Sequence, residues 1–316
     1  VVLAAARAGD ERAFEKLVAD HRRELHLHCY RMLGSLQDAE DAVQDTLLAA
    51  WRGLGGFAGR SSLRTWLYRI ATHVCLRQAG RRPPRMLSWD HGPPRPPEDA
   101  LGAPVLEPIW LDPWPGDPAD EVVRRESVGL AYVAAVQHLP PNQRAVLILR
   151  DVLGFTAEET ATMLNTSTAS ANSALQRARR STATRVRAAP ATGAEHPGLL
   201  QAFVAAWEAA DVAALVGLFS QDVVFTMPPL PAWYRGRADV VAFIARRAFA
   251  TPWRLVPVVA NAQPGFGCYQ WDGSAYVLGA VNVLSVRAGR ITWIAGFVDP
   301  AVTARFGLPR KLAGDR

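Results

Sequence analysis

With 316 residues, 49% of them hydrophobic and 20% charged, the chain is long enough for two or three buried cores and is not a disordered tail. No apolar run approaches the roughly 20 residues of a membrane span, and no secretory signal opens the chain. The net charge of +6 hides an uneven distribution: about +5 over residues 1–85, −6 over 86–120, +4 over 121–188 and +4 over 197–316.

Cys29, Cys75 and Cys268 stand far apart, at spacings that fit neither a disulfide framework nor a metal site, so a reducing cytoplasm is expected. The chain opens on Val1, from which a trimmed or missing natural start is expected.

Residues 1–33 read as two helices split near Gly9 and Asp10; Arg22, Arg23, His26 and His28 lie here without the carboxylate or cysteine partners of a metal site. From Asp38 the spacing of Ala39, Ala42, Val43, Thr46, Leu47, Ala50 and Trp51 marks one apolar helix face, with Asp38, Asp41 and Asp45 on the other. After a glycine-bearing break, Leu63, Trp66, Leu67, Ile70, Ala71 and Val74 repeat the pattern, with Arg64, Arg69, His73, Arg77, Arg81 and Arg82 outside. Ser62 fits the N-cap of this helix, and Trp66 its core. An acidic helix followed by a basic one points to two partners of opposite charge.

Residues 83–118 are rich in proline and glycine, follow neither helical nor strand periodicity, and read as a linker. Within it Trp110, Leu111, Pro113, Trp114 and Pro115 form a stiffened apolar segment better suited to docking than to solvent.

Residues 120–188 read as helical. The run Leu139 to Arg144 opens one helix, which continues through Arg150 and is broken by Gly154 and Phe155; Thr156 with Glu159 forms a capping box; Asn165 ends the next; and Ser167 caps a last helix. The last helix has an inner face of Ala171, Ala174, Leu175 and Ala178, and an outer face of Thr168, Ser170, Asn172, Ser173, Gln176, Arg177, Arg179 and Arg180. This is a helix-turn-helix in which Asn172 and Gln176 suit base edges and the arginines suit phosphates.

After a small-residue hinge at 190–197 come two helices, a strand over Val223–Met227, a helix over Asp239–Phe249, and strands over Trp253–Ala260, Phe266–Trp271, Ala275–Val286 and Ile291–Val298. An α+β domain with a curved antiparallel sheet is expected. It contains no histidine, which argues against a general base there; Asp222 and Asp272 are the remaining acids. Trp233, Tyr234, Tyr269, Trp271 and Trp293 are candidates for core or for a cavity lining.

The run Ala8–Phe14, the stretch Asp38–Asp45, and Phe57 with Leu63–Ala71 resemble the promoter-melting domain of extracytoplasmic-function (ECF) sigma factors of bacterial RNA polymerase. LPPNQRAVLILRDVLGFTAEE with the helix-turn-helix resembles their −35-reading domain, although Ser170–Leu175 is short of the basic residues many relatives carry. The last domain, with Asp222, Pro228-Pro229, Trp233 and Gly236, resembles SnoaL-like domains of the cone-shaped nuclear-transport-factor fold, and the Trp/Pro linker motif is similar to one in sigma factors that carry such a domain.

The resemblance implies roles for these residues. Arg60, Ser61, Ser62, Arg69, His73 and Arg77 would hold the −10 element, and Thr168, Ser170, Asn172, Ser173, Gln176, Arg177, Arg179 and Arg180 the −35 element. Asp38, Asp41, Gln44 and Asp45 would dock core RNA polymerase, and Trp110 to Pro115 would make the interdomain contact. The expected partners are polymerase and promoter DNA, with a small ligand in the C-terminal pocket left open and neither cofactor nor metal called for. The alternatives are a helix-turn-helix regulator that senses a ligand without polymerase, and a cyclase or hydrolase using the C-terminal pocket.

Overall fold

The structure, a computed structural model, describes residues 2–116, 129–183 and 197–313. The hinge expected at 190–196 and the helical stretch expected at 120–128 lie outside the described residues. The described chain falls into two compact units: residues 2–85 with 132–183, and residues 86–116 and 129–131 with 197–313.

The first unit is helical. Asp10 caps the helix Glu11–Leu33 by accepting from the Ala13 amide, and Gly34 closes it at φ 72, where only glycine is unstrained. Ser35 caps Leu36–Gly53 and Ser62 caps Leu63–Ala79, as their positions before apolar runs require. These three helices bury Leu25, Tyr30, Met32, Ala39, Ala42, Leu67, Tyr68 and Ala71. Pro141–Leu147 begins with proline at its first turn and runs into a π-helical turn, Ile148–Val152. The Thr156–Glu159 capping box opens Ala157–Met163, Asn165 takes the left-handed conformation (φ 51), and Thr168–Ala183 follows. Val136, Leu139, Val146, Leu147, Leu175 and Ala178 form the core beneath that last helix.

The second unit is built on one sheet. Its strands are β1 (Pro115–Gly116), β2 (Phe219–Thr226), β3 (Trp233–Arg235), β4 (Trp253–Ala260), β5 (Gln263–Trp271), β6 (Tyr276–Arg287), β7 (Arg290–Phe297) and β8 (Lys311–Leu312). The order is β1-β4-β5-β6-β7-β2-β3, with β8 on β6. Among the described strand pairings of this sheet only β2–β7 is parallel, so the sheet expected to be antiparallel is mixed. The long connection from β2 to β7, which contains a helix and the β4–β7 meander, leaves β7 free to run alongside β2 in its own direction. Register breaks at Cys268/Tyr269 and Ser285/Val286 bend the long strands. Ala288 and Gly289, both at positive φ, make the tight β6–β7 turn. The helices Pro197–Glu208, Val212–Leu218 and Arg237–Arg246 supply Phe203, Trp207, Leu215 and Phe243 to a core with Phe219, Phe225 and Phe266.

The segment 86–116 is part of this second unit. Its two ends zip together, the Met86 amide donating to Ile109 and the Leu111 amide to Met86, while Trp110 Nε1 donates to Val105 O at 2.8 Å. Between them the chain is pinned to the domain by Arg95 N on Trp233 O, Trp233 Nε1 on Gly92 O and Val105 N on Pro229 O. Leu101 packs on the aromatic core. Polar, proline-rich sequence thus lies as a strap across an apolar surface, its backbone groups paired with domain carbonyls rather than with water.

Candidate nucleic-acid interface

In the helix Thr168–Ala183 the 3.6-residue period divides the faces cleanly. Ala171, Leu175, Ala178 and Thr182 are buried, whereas Thr168, Ser170, Asn172, Ser173, Gln176, Arg177, Arg179 and Arg180 are all exposed. Arg179 makes a bidentate pair with Asp151, Nε to Oδ2 at 2.8 Å and Nη2 to Oδ1 at 2.6 Å. Those hydrogen bonds, and then the carboxylate charge, raise the guanidinium's already high pKa.

The basic helix Leu63–Ala79 is arranged differently. Arg60, Ser61 and Ser62 sit on an exposed loop, with the Ser62 hydroxyl committed to the Thr65 amide and side chain, and Arg77 is exposed. Arg69 Nη2 donates to Asn165 Oδ1 at 2.9 Å, and His73 Nε2 donates to Met163 O at 2.7 Å, both within the helix-turn-helix. Arg64 pairs with Glu24 at 2.8 Å and lies over the rings of Tyr68 and Phe155. Trp66 is half-buried with its ring 5.0 Å from Phe57.

Below this face His28 is wholly buried. Thr72 Oγ1 donates to Tyr68 O, so it accepts from His28 Nε2 at 3.0 Å, which places a ring proton on Nε2. Burial, and secondarily the charges of Arg31 and Arg64, push the His28 pKa down to about 3. Cys29 and Cys75, distant in sequence, meet here; burial and the adjacent Cys29 thiol hold Cys75 well above the usual thiol range.

On Leu36–Gly53, Gln44 and Asp45 are exposed and Asp41 is half-buried, accepting from Gln37 at 3.2 Å. Asp38 departs from the expected solvent-facing acidic row. It is only 7% exposed and binds both Arg82 and Arg85, because the basic run after Ala79 folds back and a buried carboxylate needs paired cations. Leu48 is 48% exposed one turn beyond Gln44 and Asp45, a solvent-facing apolar residue that sequence periodicity alone leaves unremarked.

In the second unit Leu111 and Trp114 are 0% and 4% exposed, Pro113 is buried, Trp110 is half-buried, and Pro115 pairs with Ala260. Trp114 N donates to Asn261 Oδ1 and Asn261 N to Trp114 O, both at 2.9 Å. Tyr234 stacks on Phe243 at 4.4 Å, Tyr269 donates to Pro309 O, Trp293 donates to Thr226, and Trp271 packs on Tyr276. Asp222 is exposed and accepts from Ser220. Asp272 caps a turn whose amides, Ala275 first and then Ser274, hold its carboxyl below the usual carboxylate range.

Comparison with known proteins places these features. Residues 17–82 match the family Sigma-70 region 2, residues 130–181 the family Sigma-70, region 4, and residues 200–294 the SnoaL-like domain. The chain is 45% identical to the ECF RNA polymerase sigma factor SigG of Mycobacterium tuberculosis, over 97% of its own length and 86% of that protein's. SigM of the same species, also an ECF RNA polymerase sigma factor, is 33% identical over 56% of this chain and 79% of its own. The crystal structure of the Mycobacterium tuberculosis extracytoplasmic function sigma factor SigJ matches with a TM-score of 0.64. It covers 93% of this chain and 99% of that one at 20% identity, a likeness of fold.

Proposed function

The chain belongs to the ECF RNA polymerase sigma factors, and on that premise we propose how its surfaces share the work of transcription initiation. The helix Thr168–Ala183 reads the −35 element, Asn172 and Gln176 bonding base edges while Arg177, Arg179 and Arg180 hold phosphates. The loop Arg60–Ser62 with Arg69, His73 and Arg77 captures the −10 element, where bases leave the duplex. Gln44, Asp45 and the exposed Leu48, with Asp41 beside them, dock core polymerase in the cytoplasm; Asp38 joins them only when Arg82 and Arg85 release it. The chain acts as a transcription factor, without a catalytic step of its own.

The observation that carries this reading is the recognition helix: every polar candidate on it faces solvent while its apolar side is buried. Run-off transcription with core polymerase on genomic fragments tests it. Gln176→Ala leaves the fold intact and weakens the cognate promoter, a lost base contact costing about 1–3 kcal/mol of discrimination. Wild-type output from Gln176→Ala and Asn172→Ala together would remove the −35 assignment.

The docked strap supports a modulating role for the SnoaL-like domain, exerted through Trp110 to Pro115. A side chain at position 116 tests it, since a Cβ there comes within 2.9 Å of Val259 Cγ1 and 3.2 Å of Val259 O. Gly116→Val therefore unseats the strap, and unchanged promoter output from that variant and from a truncation at Pro190 would end the idea.

A further inference from the structure

Arg144 is only 4% exposed, yet its acceptors are all neutral oxygens. Nη1 donates to Met32 O and to Gln137 Oε1 at 2.7 Å, while Nη2 donates to Gln137 O at 2.7 Å and Leu139 O at 3.3 Å. Nε is buried without a partner, and among the described residues no carboxylate pairs with this guanidinium. The carbonyls satisfy its Nη groups and leave the charge itself unmatched. Burial lowers its pKa to about 10, so the group stays charged at neutral pH.

Beside it lies a cavity of about 240 Å³ that Arg82, Arg85 and Asp38 also line. Asp38 accepts from both of these arginines. Among the described lining residues, three guanidiniums therefore face one carboxylate, a net charge of +2. Arg82 is the accessible member: its side chain is 46% exposed, and among the described residues its only side-chain bond is the one from Nη1 to Asp38, which leaves most of its N–H donors for a ligand. Asp38 uses two of its roughly four lone-pair positions on these bonds and can still accept another donor. Pro83, Pro84, Pro140 and Pro141 line the same space, and their fixed φ lowers the cost of keeping it shaped.

Walls of that charge attract a dianion. The volume is below the roughly 300 Å³ at which pockets for drug-sized ligands begin, so the occupant is compact. Guanidinium groups match phosphate oxygens in fork geometry. The carboxylate beside them matches the one proton of hydrogen phosphate, which neither sulfate nor the dianion of a phosphate monoester carries. We propose that this cavity binds inorganic phosphate, with Arg82 and Arg85 on its oxygens, Asp38 accepting its proton and the Arg144 charge behind them. The site does not depend on the −10 and −35 assignments.

Isothermal titration calorimetry of the full-length chain with sodium phosphate, at slightly alkaline pH and with ionic strength held constant by chloride, reads the site. Saturable binding to a single site is expected, with sulfate and AMP weaker by about tenfold or more for want of the proton. Arg82→Gln, at an accessible side chain, keeps native helicity by circular dichroism and weakens phosphate by about tenfold or more.

A wild-type chain that binds no phosphate overturns the proposal, as does one that binds sulfate or AMP as tightly. So does wild-type affinity in Arg82→Gln. Loss of binding in the double variant Arg177→Gln, Arg180→Gln puts the anion on the recognition helix and overturns it too.

Discussion

The two basic helices carry the same periodic pattern and meet different fates. In Thr168–Ala183 the face away from the core is open to solvent along its length, and its ion-paired cation, Arg179, is held by a neighbouring carboxylate on the surface. In Leu63–Ala79 the corresponding face is shared: Arg64 turns to Glu24, Arg69 to Asn165, and His73 to the Met163 carbonyl. A polar, basic helix face is therefore not yet a free nucleic-acid surface. The first helix is free because its apolar side alone is needed to close a small core; the second is a joint between two modules of one compact unit.

Three perturbations bear on this contrast. The largest effect comes from charging the buried side of the open helix. Leu175 is 5% exposed, so Leu175→Asp places an unpaired carboxylate in the helix-turn-helix core and costs more than about 3 kcal/mol. Thermal unfolding should show the transition of the first unit lost or sharply lowered, whereas Gln176→Ala one residue on leaves it in place.

Beneath the shared helix, acid does what substitution does above. Folded His28 titrates near 3 and the unfolded chain near 6.5, so between those values the unfolded state binds more protons. The contribution of the neutral imidazole is complete above pH 6.5 and declines as pH falls toward 3, by roughly 2 kcal/mol at pH 5. Urea midpoints at pH 7 and pH 5 should separate for the wild type and draw together for His28→Gln, which keeps a donor for Thr72. The smallest effect is on the open face. Asp151→Ala frees Arg179, whose side chain is 59% exposed, and lowers stability by less than about 1 kcal/mol in denaturant titration.

Local chemistry was legible where it is set by neighbours in sequence. Thr156 and Glu159 form the capping box, Ser62 caps the basic helix, Asn165 takes the left-handed turn, and β4 spans Trp253–Ala260. Other strands are shifted at their ends: β2 begins at Phe219 rather than Val223, and β5 at Gln263 rather than Phe266, because partner strands extend them. The fate of Asp38 was not legible. Its spacing matches Asp41 and Asp45, but arginines more than forty residues later fold back onto it. Nor was the seat of the proline-rich segment, whose backbone partners, Trp233, Pro229 and Asn261, lie more than a hundred residues away.

The amino-acid order by itself determined which stretches form helices and strands, where the capped helices begin, and which side of each is apolar, because periodicity and capping act over a few residues. Only the tertiary structure decided what covers the remaining sides. It set Gln137 and Arg144 on the carbonyls at the end of a distant helix, Arg85 on Asp38, and Trp114 beside Asn261. Such pairings satisfy buried polar groups across the chain, and the groups that need satisfying exist only once the elements have packed.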